Sequence, residues 1–260
     1  MTNIVEFKNV TLNYGEKKIF DKISFNIAEG SFVTVIGANG CGKSCIAYVL
    51  YGILPYLGSI KLVDKLIAEK NIDKLRENIS IVFEESSSLF IAETVLDELA
   101  CSAKDKKDID YITKKLDIAH LLYRKLSSLS CGEQQLISLA CALVSKPKLL
   151  VLDGALNMLD MFNKNKIMKF LNQCNKRGLT IIHITENSED ILYGNQVMVL
   201  DNGKVILNDP LKKVLEQEKM FTKLHLNLPF MADLCTKLKY YNIISKIELN
   251  KVRLVNSIWK

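Results

Sequence analysis

Hydrophobic and polar residues alternate along this chain with two different periods, and the changes of period mark its organisation. From Ile4 to Ile27 the period is that of strands. Ile4-Val5-Glu6-Phe7, Val10-Thr11-Leu12-Asn13-Tyr14 and Ile23-Ser24-Phe25-Asn26-Ile27 predict an antiparallel sheet. Phe32-Val33-Thr34-Val35-Ile36 is instead a continuous β-branched run, as expected of a buried strand. Cys45–Leu50 reads as the start of a helix. Ser59–Asp64 and Ile79–Phe83 read as strands, the second running into the polar loop Glu84-Glu85-Ser86-Ser87-Ser88. Over residues 91–145 helical spacing takes over, at Thr94–Ala103, Asp108–Leu116 and Glu133–Val144, which predicts a helical insertion spanning about 88–146. Pro147 ends it, and Lys148-Leu149-Leu150-Val151-Leu152-Asp153 follows as a buried strand that terminates in a carboxylate. A helix over 160–177 and a strand at Thr180–Ile184 continue an α/β alternation, and Val197–Leu207 folds back at Asn202-Gly203. From residue 211 the pattern becomes a Lys-rich amphipathic helix broken at Pro229. The chain therefore divides into an α/β domain at 1–210 and a C-terminal extension at 211–260, a possible dimerisation region.

Composition narrows the function classes. With 260 residues, 48% hydrophobic and 25% charged, the chain is long enough to bury a large core. Its net charge of +6 suggests nucleic acid at first sight, but only Arg76, Arg124, Arg177 and Arg253 supply guanidinium groups, and the lysines are dispersed. Arg is the residue of bidentate phosphate and base contacts, so a nucleic-acid partner is not expected. The seven cysteines contain no C-x-x-C pair, which reads as free thiols of a reducing compartment. No signal peptide is evident, and no apolar run approaches the roughly 18 residues of a membrane span. Work at a membrane would then need docking to a partner.

The chemistry concentrates at Gly37-Ala38-Asn39-Gly40-Cys41-Gly42-Lys43-Ser44, a G-x-x-x-x-G-K-S pattern between the buried strand and a helix. Glycines in that context let backbone N–H groups close on phosphates, and the helix N-terminus adds partial positive charge. Lys43 is expected to reach the β- and γ-phosphates, and the Ser44 hydroxyl to ligate Mg²⁺. Asp153, at the end of its strand, is the expected metal partner, and Tyr14 is placed to stack on a purine.

Leu129-Ser130-Cys131-Gly132-Glu133-Gln134-Gln135 then opens a helix upstream of Asp153. With this stretch in place the chain resembles the ABC-type ATPases over residues 1–210. That resemblance implies a P-loop NTPase fold: a RecA-like core with an antiparallel β subdomain and a helical subdomain. It implies ATP as ligand, bound by Gly37–Ser44 with Cys45 following. It also implies that Ser130, Cys131, Gly132 and Glu133 meet ATP held by a facing subunit in a head-to-tail dimer. Three stretches are similar to the energy-coupling factor transporter ATPases: Val82-Phe83-Glu84 continuing to Phe90–Val95, Ala155–Asp160, and Leu224–Phe230. This narrower likeness implies a peripheral subunit on the cytoplasmic face of the membrane. Its partners would be a second ATPase subunit, an integral membrane coupling subunit and a substrate-binding membrane protein, with a vitamin or metal ion as cargo.

Against that family's pattern the chain departs at five positions. The catalytic Glu is Gly154, the switch His is Glu186, and the loop Gln is Glu84, which a nearby Mg²⁺ favours as a third metal ligand beside Ser44 and Asp153. The first signature Gly is Cys131, and Cys45 stands for Thr or Ser. Three changes around one γ-phosphate point to lost chemistry with retained binding. Two other readings remain open: a non-hydrolytic nucleotide-sensing scaffold, and a soluble ABC ATPase.

Overall fold

A computed structural model describes residues 2–84 and 89–259. Residues 85–88, four of the five in the expected polar loop, lie outside them. Strands β1 (Asn3–Tyr14) and β2 (Lys17–Ala28) form an antiparallel hairpin. With β4 (Leu57–Leu62) and β5 (Lys65–Leu66) they make a four-stranded sheet of order β2-β1-β4-β5. Alternate residues of β1 and β2, among them Phe7 and Phe25, turn inward, and those two rings stack 4.3 Å apart.

The second sheet carries the site. Its order is β10-β9-β3-β8-β7-β6, built from β3 (Phe32–Gly37), β6 (Ile79–Phe83), β7 (Leu149–Asp153), β8 (Thr180–Ile184), β9 (Gln196–Asp201) and β10 (Lys204–Pro210). From β9 to β6 every pairing is parallel, and only β10 runs antiparallel, returning from β9 through Asn202-Gly203. Every residue of β3, β7 and β8 is buried, which is why those segments are continuous apolar runs in the sequence. A parallel sheet presents its ligand site at the carboxyl ends of its strands. Here Gly37, Phe83, Asp153 and Ile184 share that edge.

Helix α1 (Lys43–Leu50) follows β3, and α2 (Ile72–Arg76) precedes β6. The insertion comprises α3 (Val95–Ser102), α4 (Lys106–Leu116) and α5 (Cys131–Val144), which pack with α6 (Met161–Lys176) on the face of β7 and β8. Side chains cap four of these helices. Thr94, Asp105, Ser130 and Asp160 accept from N–H groups in the first turns of α3, α4, α5 and α6. Helix α1 differs: its N-cap is Gly42 at φ +102, with no side chain on its first amides.

The extension forms α7 (Leu211–Leu215), α8 (Glu218–Lys223), α9 (Phe230–Tyr240) and α10 (Lys251–Ile258). Val214, Leu215, Phe221 and Ala232 pack with Ile36, Val197 and Val199 of β3 and β9 in one core. Cys235, Ile244 and Leu254 form a separate small cluster, with Met231, Leu234 and Leu238 packed against it. The extension thus shares a core with β3 and β9 through residues as far along as Ala232.

Candidate nucleotide site

The loop from Gly37 to Lys43 is shaped by two close approaches. A Cβ on Gly37 would lie 2.2 Å from the Leu200 carbonyl oxygen of β9, which no side chain allows. A Cβ on Gly42 would lie 2.8 Å from Ile19 and 2.9 Å from Phe20, so the β1–β2 hairpin abuts the phosphate loop. Ile19 and Phe20 are site-shaping residues that sequence reasoning missed, because nothing local marks them. Tyr14, at the turn of that hairpin, is 73% exposed. Ala38, Asn39 and Gly40 are exposed, whereas Cys41 is buried and burial pushes its thiol upward. Burial likewise raises the Cys45 thiol, with Asp153 adding to the effect, so both sulfurs pack as neutral groups.

Lys43 is nearly buried, and its Nζ donates to the carbonyls of Gly37 at 2.9 Å and Ala38 at 3.0 Å. The carboxylate of Glu186 lies 3.9 Å from the same nitrogen. Ser44 Oγ donates to Asp153 Oδ1 at 3.0 Å. Burial holds the Asp153 carboxyl above its usual range, with the nearby Glu84 charge adding to this and the Ser44 hydrogen bond and Lys43 opposing it. A cavity of about 370 Å³ opens here, lined among others by Ser44, Tyr48, Glu84 and Asp153.

Beside that cavity, Asn157 Nδ2 donates to Glu84 Oε1 at 3.0 Å. Gly154 sits beneath at φ +64, its amide bonded to the Ile184 carbonyl at 3.1 Å. Below Glu186 lies a buried polar knot. Asp190 Oδ2 accepts from Lys164 Nζ at 2.7 Å and from Thr185 Oγ1 at 2.7 Å, with His183 Nε2 at 3.2 Å. Thr185 Oγ1 also accepts from the Asn187 amide at 3.1 Å, which fixes the turn that presents Glu186. His183 is buried within β8, whereas Glu186 lies beyond the end of that strand and is exposed.

The signature residues cluster elsewhere. Ser130 and Glu133 form a reciprocal capping box at the start of α5, with Ser130 N donating to Glu133 Oε2 at 2.7 Å and Glu133 N to Ser130 Oγ at 3.3 Å. The Ser130 amide, and the Ser130 hydroxyl at 2.8 Å, both donate to Glu133 Oε2 and pull that carboxyl below its usual range. Ser130 and Cys131 are exposed, and Gly132 packs toward Met158 and Leu159.

A glycine loop between a buried parallel strand and an uncapped helix, with a hydroxyl–carboxylate pair beside its lysine, defines a P-loop nucleotide-binding domain. Residues 20–157 match the family model described as ABC transporter, and the chain belongs to that family. It is 30% identical, over 98% of its length and 96% of the other, to the energy-coupling factor transporter ATP-binding protein EcfA1 of Mycoplasma pneumoniae. The EcfA1 of Ureaplasma parvum is 33% identical over 98% of this chain and 91% of that protein. Among solved structures, CbiO1 of Clostridium perfringens, described as part of the ABC transporter complex CbiONQ, superposes with a TM-score of 0.76. It is 31% identical and covers 91% of this chain and 100% of its own. A bacterial Atm1-family ABC exporter with ATP bound gives a TM-score of 0.78 at 25% identity, over 85% of this chain and 41% of its own. The resemblance to ABC ATPases read from the motifs, and the narrower likeness to energy-coupling factor ATPases, are both borne out.

Proposed function

We propose that this chain is the ATP-binding subunit of an energy-coupling factor-type transporter, sitting peripherally on the cytoplasmic face of the membrane. In this reading it pairs head-to-tail with a second ATPase subunit. The pair drives uptake of a vitamin or metal-ion micronutrient through an integral coupling subunit and a substrate-binding membrane protein. Among the described residues no helix is long and apolar enough to cross a membrane, and the reading assigns that task to the partners.

The observation that carries it is the joined site of Lys43, Ser44 and Asp153 beneath the uncapped start of α1. The first amides of α1 and the Gly37–Gly42 loop suit an anion, and Lys43 is the cation beside it. Asp153 is a carboxyl whose charge is disfavoured by burial, which a divalent ion would relieve. The residues therefore fit Mg²⁺·ATP, with Ser44 and Asp153 holding the metal and Glu84 close behind. Among the described residues no cluster of three or more His, Cys, Asp or Glu can hold a metal unaided, so water and phosphate oxygens would complete the shell. When bound, the ion would neutralise charge on the phosphates.

Binding is better served here than chemistry. Position 154 carries no side chain, and Glu186 engages the lysine that a γ-phosphate requires. Turnover at this chain's own site should be slow, and the partner's site, completed by Ser130 and Gly132, would reset the dimer. Lys43→Ala should abolish ATP binding measured by calorimetry. An unchanged dissociation constant would refute the assignment of the loop.

A further inference from the structure

Three carboxylates reach the described part of the site, and two are already engaged. Asp153 accepts from Ser44, and Glu186 lies against Lys43. Glu84 is held differently. It follows the last residue of β6, where Phe83 pairs with Asp153 and bridges to Gly154. Its Oε1 accepts from Asn157, which fixes the plane of the carboxylate. Its Oε2 then lies 3.0 Å from where a Cβ on Gly154 would be, and Glu84's own Cβ lies 3.1 Å from that point. The Glu84 carboxylate thus occupies the space that a side chain on residue 154 would enter, on the wall of the cavity that holds Ser44 and Asp153.

We propose that Glu84 is the general base for ATP hydrolysis at this chain's own site, delivered from the end of β6 across Gly154. This rests on the ATP-site reading above. In the step, a water oxygen bonds to the γ-phosphorus as the bond from that phosphorus to the β–γ bridging oxygen breaks. ADP departs with the bonding electron pair, phosphate is formed, and the water proton passes to Glu84 Oε2. Asn157 is a positioning residue that keeps Oε1 engaged and Oε2 turned toward the space above Gly154. The glycine is then a requirement of the arrangement. A side chain at 154 would adopt a strained φ of +64 and press on Glu84, and a carboxylate there would set two like charges side by side.

The test uses the assembled ATPase pair in excess over radiolabelled ATP, with the second subunit's own phosphate-loop lysine replaced by alanine so that only this chain's loop is loaded. It follows a single turnover by acid quench, with ATP affinity measured in parallel. Glu84→Gln should slow conversion of bound ATP to ADP by about 100-fold or more, the usual worth of a general base, while ATP affinity stays within about threefold. Gly154→Glu alone should not exceed the parent rate and should lower the melting temperature of the nucleotide-free protein. Combined with Glu84→Ala, which empties the space beside residue 154 and removes the like charge, it should regain part of the rate, while the φ of +64 keeps the melting temperature below the parent's. A parent chain that binds ATP without converting it overturns the proposal, as does an unchanged rate in Glu84→Gln. A fall in affinity parallel to the fall in rate also overturns it, since Glu84 would then be a binding group. Failure of the parent chain to bind ATP instead overturns the reading on which the proposal rests.

Discussion

Glu186→Gln should tighten ATP binding, although it removes an ion pair. In the nucleotide-free protein the carboxylate lies 3.9 Å from Lys43 Nζ, so it competes with a γ-phosphate for that cation and repels the phosphate as well. At that separation a unit charge pair is worth roughly 4 kcal/mol at an effective dielectric of 20 and about 1 kcal/mol in water. Lys43 is 7% exposed but Glu186 is 61% exposed, which places the pair near the lower limit. An effect of about 1 kcal/mol corresponds to roughly fivefold in affinity. Calorimetric titration of Glu186→Gln with ATP and with ADP should therefore show about fivefold tighter ATP and a smaller change for ADP. The difference should shrink as salt is raised. Equal tightening for both nucleotides, or weaker ATP binding, would refute the competition.

Acid should destabilise the fold through His183. Burial holds its imidazole down to about 4, with Lys164 acting in the same direction and Asp190 against it. The unfolded chain titrates near 6.5, so stability is full above that value and falls as pH drops toward 4, by about 2 kcal/mol at pH 5. His183→Gln should flatten the unfolding-against-pH curve over that window. An acid limb of unchanged steepness would exonerate the histidine. Lys164→Met leaves Asp190 buried without its cation and should cost about 3–5 kcal/mol in urea unfolding. Adding Asp190→Asn should cost less than the two changes summed, and strict additivity would contradict the pairing. Ser130→Ala removes one half of the capping box and about 1 kcal/mol of stability. In the paired-ATPase reading it also slows turnover of the assembled complex roughly 10- to 100-fold, with ATP binding at Gly37–Ser44 intact.

What the sequence disclosed was local, and what it hid was tertiary. The strand, glycine loop and helix around Lys43 are contiguous, so their periods and residue types suffice to place them. Asp153 is legible because it ends a continuous apolar run. Three helices begin earlier than their periodicity predicts, α4 at Lys106 where Asp105 takes the cap. Helix α5 begins at Cys131 and not Glu133 because Ser130 takes the cap, and α1 begins at Lys43. The contacts that set the chemistry, Glu84 with Asn157 and Glu186 with Lys43, join segments far apart in the chain. No periodicity reports such a contact. The closeness of Glu84 to the space above Gly154 is of the same kind.

Ile36 is the residue before the phosphate loop, and it shares a core with Phe221 and Ala232 of the extension. The family match ends at residue 157, yet the packing that steadies the loop's own strand reaches to Ala232. Burial of one such aromatic side chain is worth about 1.5–3 kcal/mol. A gene trimmed after Pro210 would thus lay bare the apolar flank of β9 and invite aggregation. A fusion or exchange made at the ends of the matched segment alone would separate the phosphate loop's strand from part of its core.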